Sequence, residues 1–239
     1  MAIVWITRIS GEASAKAVAA LGASPLIAPL LKLCAASTPA SAPPDDNVIA
    51  FTSGSAVRAF AALTDRRHWR AYAIGDATAA LAVSLGFENT LSASGDVNAL
   101  AALIIKDAPK NALGAVTYLS GVHIAGDLMG ALDAAGIRAS REIIYATHPV
   151  TQMPERAADA LINEDNITVL LYSPKGARAF AALINSPQFA ANIPKLITVS
   201  LSANIDAALG GLALMARHIA DAPNEAALIS ALETALAKA

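Results

Sequence analysis

Residues 51–63 read Phe-Thr-Ser-Gly-Ser-Ala-Val-Arg-Ala-Phe-Ala-Ala-Leu, and residues 172–183 read Tyr-Ser-Pro-Lys-Gly-Ala-Arg-Ala-Phe-Ala-Ala-Leu. Aligned on Arg58 and Arg178, the two copies lie 178 − 58 = 120 positions apart in a chain of 239. Alanine is common throughout, so its columns count for little, but the Arg-x-Phe-x-x-Leu spacing survives without them. The residues downstream of the two copies correspond as well. Tyr72-Ala73-Ile74-Gly75-Asp76-Ala77-Thr78 answers Thr198-Val199-Ser200-Leu201-Ser202, and a helix opening at 95–100 answers one at 222–228. A chain built this way is expected to fold as two similar α/β domains.

Short β-rich runs alternate with alanine-rich helical runs, the pattern of parallel sheets covered by helices. Strands are expected at 3–7, 48–52, 71–74, 115–119, 169–172 and 196–199. Gly22, Gly86 and Gly136 each follow a helical run, where a glycine can close the helix in the left-handed conformation. Asp76, Ser173 and Ser202 stand at N-cap positions, and Pro174 and Pro223 suit first turns. Two extended pieces, 24–33 and 142–150, have no place in either copy. Residues 35–46 are rich in Pro, Ser and Ala and read as a connection. The pattern alone leaves open whether the two halves are consecutive or interleaved.

Charge and motifs remove several function classes. The 17 Lys+Arg against 19 Asp+Glu leave a net charge of −2, with no basic excess to attract nucleic acid or anionic lipid. No GxGxxG follows a strand, and no Walker A, HExxH or CxxC sequence occurs. His68, His123, His148 and His218 are scattered without ligand spacing, so no metal is expected. Cys34 is the single cysteine and reads as a buried, inert thiol. The longest apolar tract, 196–216, carries Asn204 and Asp206 in its middle, which argues against a membrane span. The N-terminal residues lack the pattern of a signal peptide, so the expected location is the cytoplasm.

Several strands end in small polar residues that open a helix at once: Ser53-Gly54-Ser55, Gly75-Asp76-Ala77-Thr78, Ser120-Gly121, Ser173-Pro174 and Ser202. Taken singly, each reads as an N-cap. Repeated in both halves, they suggest a cleft for a polyanion, because free N–H groups at helix starts bind carboxylates or phosphates. Arg8, closing the first strand, is placed to reach such a cleft, while Arg58 and Arg178 suit a salt bridge as well as a ligand.

These residues resemble the uroporphyrinogen-III synthase family over nearly the whole chain. Trp5-Ile6-Thr7-Arg8, Gly22 and Pro29 look like its first strand, helix and exit, and Phe51-Thr52-Ser53 with Ala56, Val57 and Phe60 is similar to its strand-turn-helix signature. Gly75 with Thr78-Ala79 matches its Gly-x-x-Thr-Ala turn, and Tyr172-Ser173-Pro174 its second turn. Gly121, Leu128, Leu132 and Gly136 followed by Tyr145-Ala146-Thr147 look like a further run. The sequence departs from the pattern at Ser55, near Gly126, and at 202–205, where the second Gly-x-x-Thr turn is absent.

The resemblance implies two flavodoxin-like α/β domains joined by a two-stranded connector. Residues 1–33 would pair with 150–239, residues 38–142 would form the inserted domain, and 24–37 and 142–150 would be the connectors. It implies cyclisation of hydroxymethylbilane, with loss of the terminal hydroxyl and inversion of the last pyrrole through a spiro intermediate, without metal or other cofactor. The linear tetrapyrrole would be held at Thr7, Arg8, Ser53, Gly54, Ser55, Gly75, Thr78, Gly121, Ser173, Pro174 and Ser202. Tyr145 would assist the departing hydroxyl, or merely pack and hydrogen-bond in the connector. A monomer with transient contact to the preceding pathway enzyme is expected. The alternative is a non-catalytic binder of a small anion such as a phosphosugar, with Ser53-Gly54-Ser55 as its phosphate cradle.

Overall fold

The computed structural model describes residues 1–36, 41–111, 114–122, 124 and 126–238. From the N-terminus come β1 (Ile3–Ile6), α1 (Glu12–Ala20), β2 (Ser24–Ile27) and β3 (Leu31–Ala35). Next are β4 (Val48–Phe51), α2 (Gly54–Leu63), β5 (Ala71–Ala73), α3 (Asp76–Ser84), β6 (Thr90–Ser92) and α4 (Val97–Asn111). They are followed by β7 (Val116–Gly121), α5 (Leu128–Ala134) and the long β8 (Ala139–Pro149). The chain continues through α6 (Glu155–Asn163), β9 (Ile167–Leu171), α7 (Pro174–Ile184), β10 (Leu196–Ser200), α8 (Ala203–Ala207), β11 (Ala216–Ile219) and α9 (Glu225–Leu236). It divides into two compact units, Met1–Lys32 with His148–Ala239, and Leu33–Thr147.

The first unit is built on a parallel sheet of order β11-β10-β9-β1-β2, with Ile3 opposite Ile167 and Ile6 opposite Leu170. Both faces are covered, so its central strands are apolar at nearly every position. Trp5, Val169 and Leu171 meet Leu161 of α6, Phe180 of α7 and Ile205 of α8 on one face. On the other, Val4, Ile6 and Val199 meet Val18 of α1 and Leu228 and Leu232 of α9. The Trp5 indole N–H is satisfied by the Ala28 carbonyl at 2.7 Å.

The second unit has the order β3-β8-β7-β4-β5-β6, parallel from β8 to β6. Phe51, Phe60, Trp69 and Phe87 form an aromatic core on the α2 and α3 face, and α4 and α5 cover the other through Leu100, Ile104, Leu128 and Leu132. Matching β9-β10-β11 to β4-β5-β6, and β1-β2 to β7-β8, makes the two parallel sheet orders identical. The first unit is therefore a circular permutation of the second in topology. The 120-residue repeat marks the strand-turn-helix from which both are laid out. Burial repeats with it: residues 51–60 and 171–180 share one pattern except at Ala59 and Ala179.

Several local expectations change. Residues 24–27 are not connector: β2 is the edge strand beside β1, because Pro25 to Ile27 pair in register with Val4 to Ile6. The connecting ribbon is formed instead by β3 and β8. Val150 donates to the Leu30 carbonyl at 3.0 Å and Ala36 to that of Ile144 at 3.3 Å, an antiparallel progression. Residues 142–149 are the later part of β8, and as far as Tyr145 they still pair with β7 in the second sheet. Gly22, Gly86 and Gly136 end their helices with φ of 76°, 94° and 71°, as expected. The N-cap of α3 is Gly75 and not Asp76, and Pro223 precedes the Asn224 cap of α9. Cys34 is half-buried, since β3 is an edge strand.

Candidate functional site

In open α/β sheets the strand order reverses at one point, and helix starts gather there beyond the strand C-termini. In the second unit the reversal falls between β4 and β7. Ser53 ends the β4 turn in extended backbone and caps α2, its Oγ accepting from the Ala56 N–H at 3.2 Å. The same Oγ lies 3.2 Å from the Tyr145 hydroxyl, and Gly54 and Ser55 form the first turn of that helix. Beside them, the Thr52 and Tyr118 hydroxyls are 2.8 Å apart. A cavity of about 290 Å³ is lined by Cys34, Ala59, Ile144 and Tyr145 among others.

Tyr145 reaches this place through an irregularity. Ser120 pairs with Ile143 but Gly121 with Tyr145, so β8 carries one extra residue, a β-bulge. Strict alternation would put Ile144 and Tyr145 on opposite faces, yet both pack against the core that holds Phe51 and Leu119. Gly121 makes the approach possible: a Cβ there would lie 2.6 Å from Tyr145 Cζ. The sequence assigned Gly121 to substrate, and the geometry gives it this steric task.

Gly75 and Thr78 sit at the start of α3. Asp76 stands between them, exposed, with one carboxylate oxygen accepting from the Ser92 and Ser94 hydroxyls, each at 2.6 Å. Those two bonds hold its carboxyl below the usual carboxylate range. A fixed negative charge makes this turn a poor receptor for a carboxylate.

In the first unit the reversal falls between β1 and β9. Thr7 is buried, and its hydroxyl donates to the Leu170 carbonyl at 2.6 Å, joining the ends of the two strands. Arg8 emerges beyond it, pairs with Glu225 at 3.0 Å and lies 4.8 Å over the Tyr172 ring. Ser14 of α1 donates to the same Glu225. Burial pushes the Tyr172 phenol up to about 12. Ser173 caps α7, accepting from the Gly176 N–H at 3.1 Å, with Pro174 as the first helical residue. Ser202 precedes α8 but makes no side-chain cap bond.

Of the residues expected at the site, the structure brings Ser53 and Gly121 against Tyr145, and it adds Arg141, which the sequence did not mark. On β8, Arg141 donates to Ser120 Oγ at 2.8 Å, to the Gly121 carbonyl at 2.7 Å and to the Val122 carbonyl at 3.0 Å. No motif marks it, because a bulge has no residue signature here. His123 lies outside the described residues. Among the described residues no group of three or more His, Cys, Asp or Glu could hold a metal ion, and no helix is long and apolar enough to cross a membrane.

One comparison with known proteins shows the family, and solved structures show a similar fold. The family model described as uroporphyrinogen-III synthase HemD matches residues 12–230. The solved uroporphyrinogen-III synthetase of Helicobacter pylori is 20% identical, covers 100% of this chain and 99% of its own, and superposes with a TM-score of 0.61. A uroporphyrinogen III synthase of Thermus thermophilus is 15% identical, with 100% and 99% coverage and a TM-score of 0.44. No curated protein matches the chain.

Proposed function

The chain belongs to the uroporphyrinogen-III synthase family, and on that premise we propose how its residues carry the family's reaction. Members are cyclising lyases of heme biosynthesis, and the activity is closure of hydroxymethylbilane to uroporphyrinogen III, with inversion of the terminal pyrrole and loss of water. No observation favours the phosphosugar binder.

The observation that carries the assignment of roles is the Tyr145 phenol, held 3.2 Å from Ser53 Oγ at the helix start of α2. A phenol with a hydroxyl neighbour can hand its proton to a departing hydroxyl while accepting a hydrogen bond itself. The positive end of α2 lies behind it and favours the developing oxyanion. The cation left on the bilane is stabilised by its own pyrrole nitrogen, so Tyr145 is asked for only part of the barrier. Each unit by itself offers helix starts suited to carboxylates such as the substrate carries: Ser53, Gly54 and Ser55 at α2 in the second, and Ser173 and Pro174 at α7 in the first, with Ser202 at α8 the weakest. Arg8 exchanges Glu225 for a substrate carboxylate; an exposed ion pair is worth at most about 1 kcal/mol, so the exchange is cheap. The proposed setting is a cytoplasmic monomer that takes its substrate from the preceding enzyme.

Tyr145→Phe tests the central role. Positioned acid catalysis is worth about 10²–10⁴-fold, and the lower end is expected here because the leaving group departs with help from the substrate. Type III formation should slow by about that lower factor while type I ring, formed spontaneously, accumulates. Full type III output from the variant would make Tyr145 structural.

A further inference from the structure

We propose that Arg141 is a positioning residue for ring closure: its guanidinium clamps the β-bulge that delivers the Tyr145 phenol to Ser53. The proposal rests on the reading of Tyr145 as the proton donor.

The bulge leaves the end of β7 with a local problem. One extra residue on β8 interrupts the regular register between Ser120 and Gly121. Arg141 answers it with the fixed planar fork of its guanidinium. Nη2 donates to the carbonyls of Gly121 and Val122, and Nε to the Ser120 hydroxyl, so three consecutive residues of β7 and its exit are held by one side chain. The Val122 N–H in turn donates to the Tyr145 carbonyl at 3.2 Å. The connection from guanidinium to Tyr145 backbone is therefore two hydrogen bonds long, through Val122.

The alternative register shows what the clamp prevents. Without the extra residue, Gly121 would pair with Ile144, and Tyr145 would turn to the opposite face of the sheet. The phenol would then leave Ser53. Regular pairing would restore ladder hydrogen bonds, so the bulged arrangement needs a compensating contact, and three bonds from a cation supply it. Arg141 is half-buried and sits four residues before Tyr145 on the same strand, which makes the clamp local to the catalytic side chain.

The test is a double-mutant cycle with Arg141→Ala and Tyr145→Phe, read as steady-state type III formation from hydroxymethylbilane, with kcat and KM separated. Arg141→Ala should lower kcat about 10- to 100-fold, the scale of an ångström-size misplacement of a catalytic group, with KM little changed. The double variant should match Tyr145→Phe alone to about twofold, because both changes remove the same contribution. Free guanidinium at a sub-denaturing concentration should restore part of the rate to Arg141→Ala and none to the double variant. A double variant whose loss is the product of the two single losses overturns the proposal, as does an Arg141→Ala effect confined to KM, which would mark a substrate-carboxylate contact instead. An unimpaired Tyr145→Phe overturns the underlying reading and the proposal together, and shows in that single variant alone. If Arg141→Ala does not fold, Arg141→Lys, which keeps the charge and loses the fork, replaces it in the same cycle.

Discussion

Gly121 and Tyr145 were both legible as members of one family run, but what joins them was not. The sequence offers an extended piece at 142–150, in which nothing announces an extra residue, so the bulge shows only in the strand register and the Arg141 contacts only in the hydrogen bonds. Gly121→Ala tests the contact. A methyl within 3 Å of the phenol ring must push it off Ser53, so type III formation should drop by a factor approaching that of Tyr145→Phe, with the melting temperature lowered only slightly. An unchanged rate would mean that the ring tolerates a different seat. A second residue-scale prediction concerns Tyr72, which donates to Asp107 at 2.5 Å and accepts from Arg70 Nε at 3.0 Å. Burial first, then the bond to Asp107, raises its phenol to about 12; burial does the same to Tyr172. With folded values above the unfolded value of about 10, the folded state holds these protons more tightly. Their contribution is intact below about pH 10 and is lost as pH rises toward about 12. Tyrosinate absorbance should show a late-titrating component, and Tyr72→Phe and Tyr172→Phe should each remove one phenol from it. Titration of Tyr72 and Tyr172 near 10 would contradict the burial.

The elements most readable in the sequence were those with chemical punctuation. Ser53 and Ser173 cap the repeated helices because each stands three residues before the N–H it accepts from, and Pro174 follows with its φ already set for a first turn. Ser202 looks the same in sequence but makes no cap bond. Ser173→Ala should therefore cost about 1 kcal/mol and Ser202→Ala only a few tenths, measured by denaturant unfolding. Ser53→Asp asks a different question of the same kind of turn. A carboxylate placed at the α2 start should repel the substrate's carboxylates and weaken product binding, more than removal of Arg8 does. Equal binding by both variants would sink the assignment of that helix start. The elements not read were β6 and β11. Thr90–Ser92 and Ala216–Ile219 are short edge strands, half-exposed, and β11 carries Arg217 and His218, so neither shows the apolar run that betrays a central strand.

At the scale of the molecule, the repeat announced two similar α/β units, and the family resemblance suggested that the second interrupts the first. Pattern could not supply that order, because a circular permutation leaves every local strand-turn-helix intact and changes only which strand comes first. Leu30 and Val150 are hydrogen-bonded partners across the ribbon, so the first unit can be closed without the second. Replacing 33–147 by a two-residue Asn-Gly turn should yield a chain that unfolds cooperatively, followed by circular dichroism, and that makes no type III ring because it lacks Ser53 and Tyr145. A molten product would mean that the five-stranded sheet depends on the inserted unit. The whole chain faces the most direct test. Supplied with hydroxymethylbilane generated in place by the preceding enzyme, and with the product oxidised and its isomers separated, it should turn the substrate into type III porphyrin in preference to type I. Type I alone, at the rate of the protein-free mixture, would contradict the account.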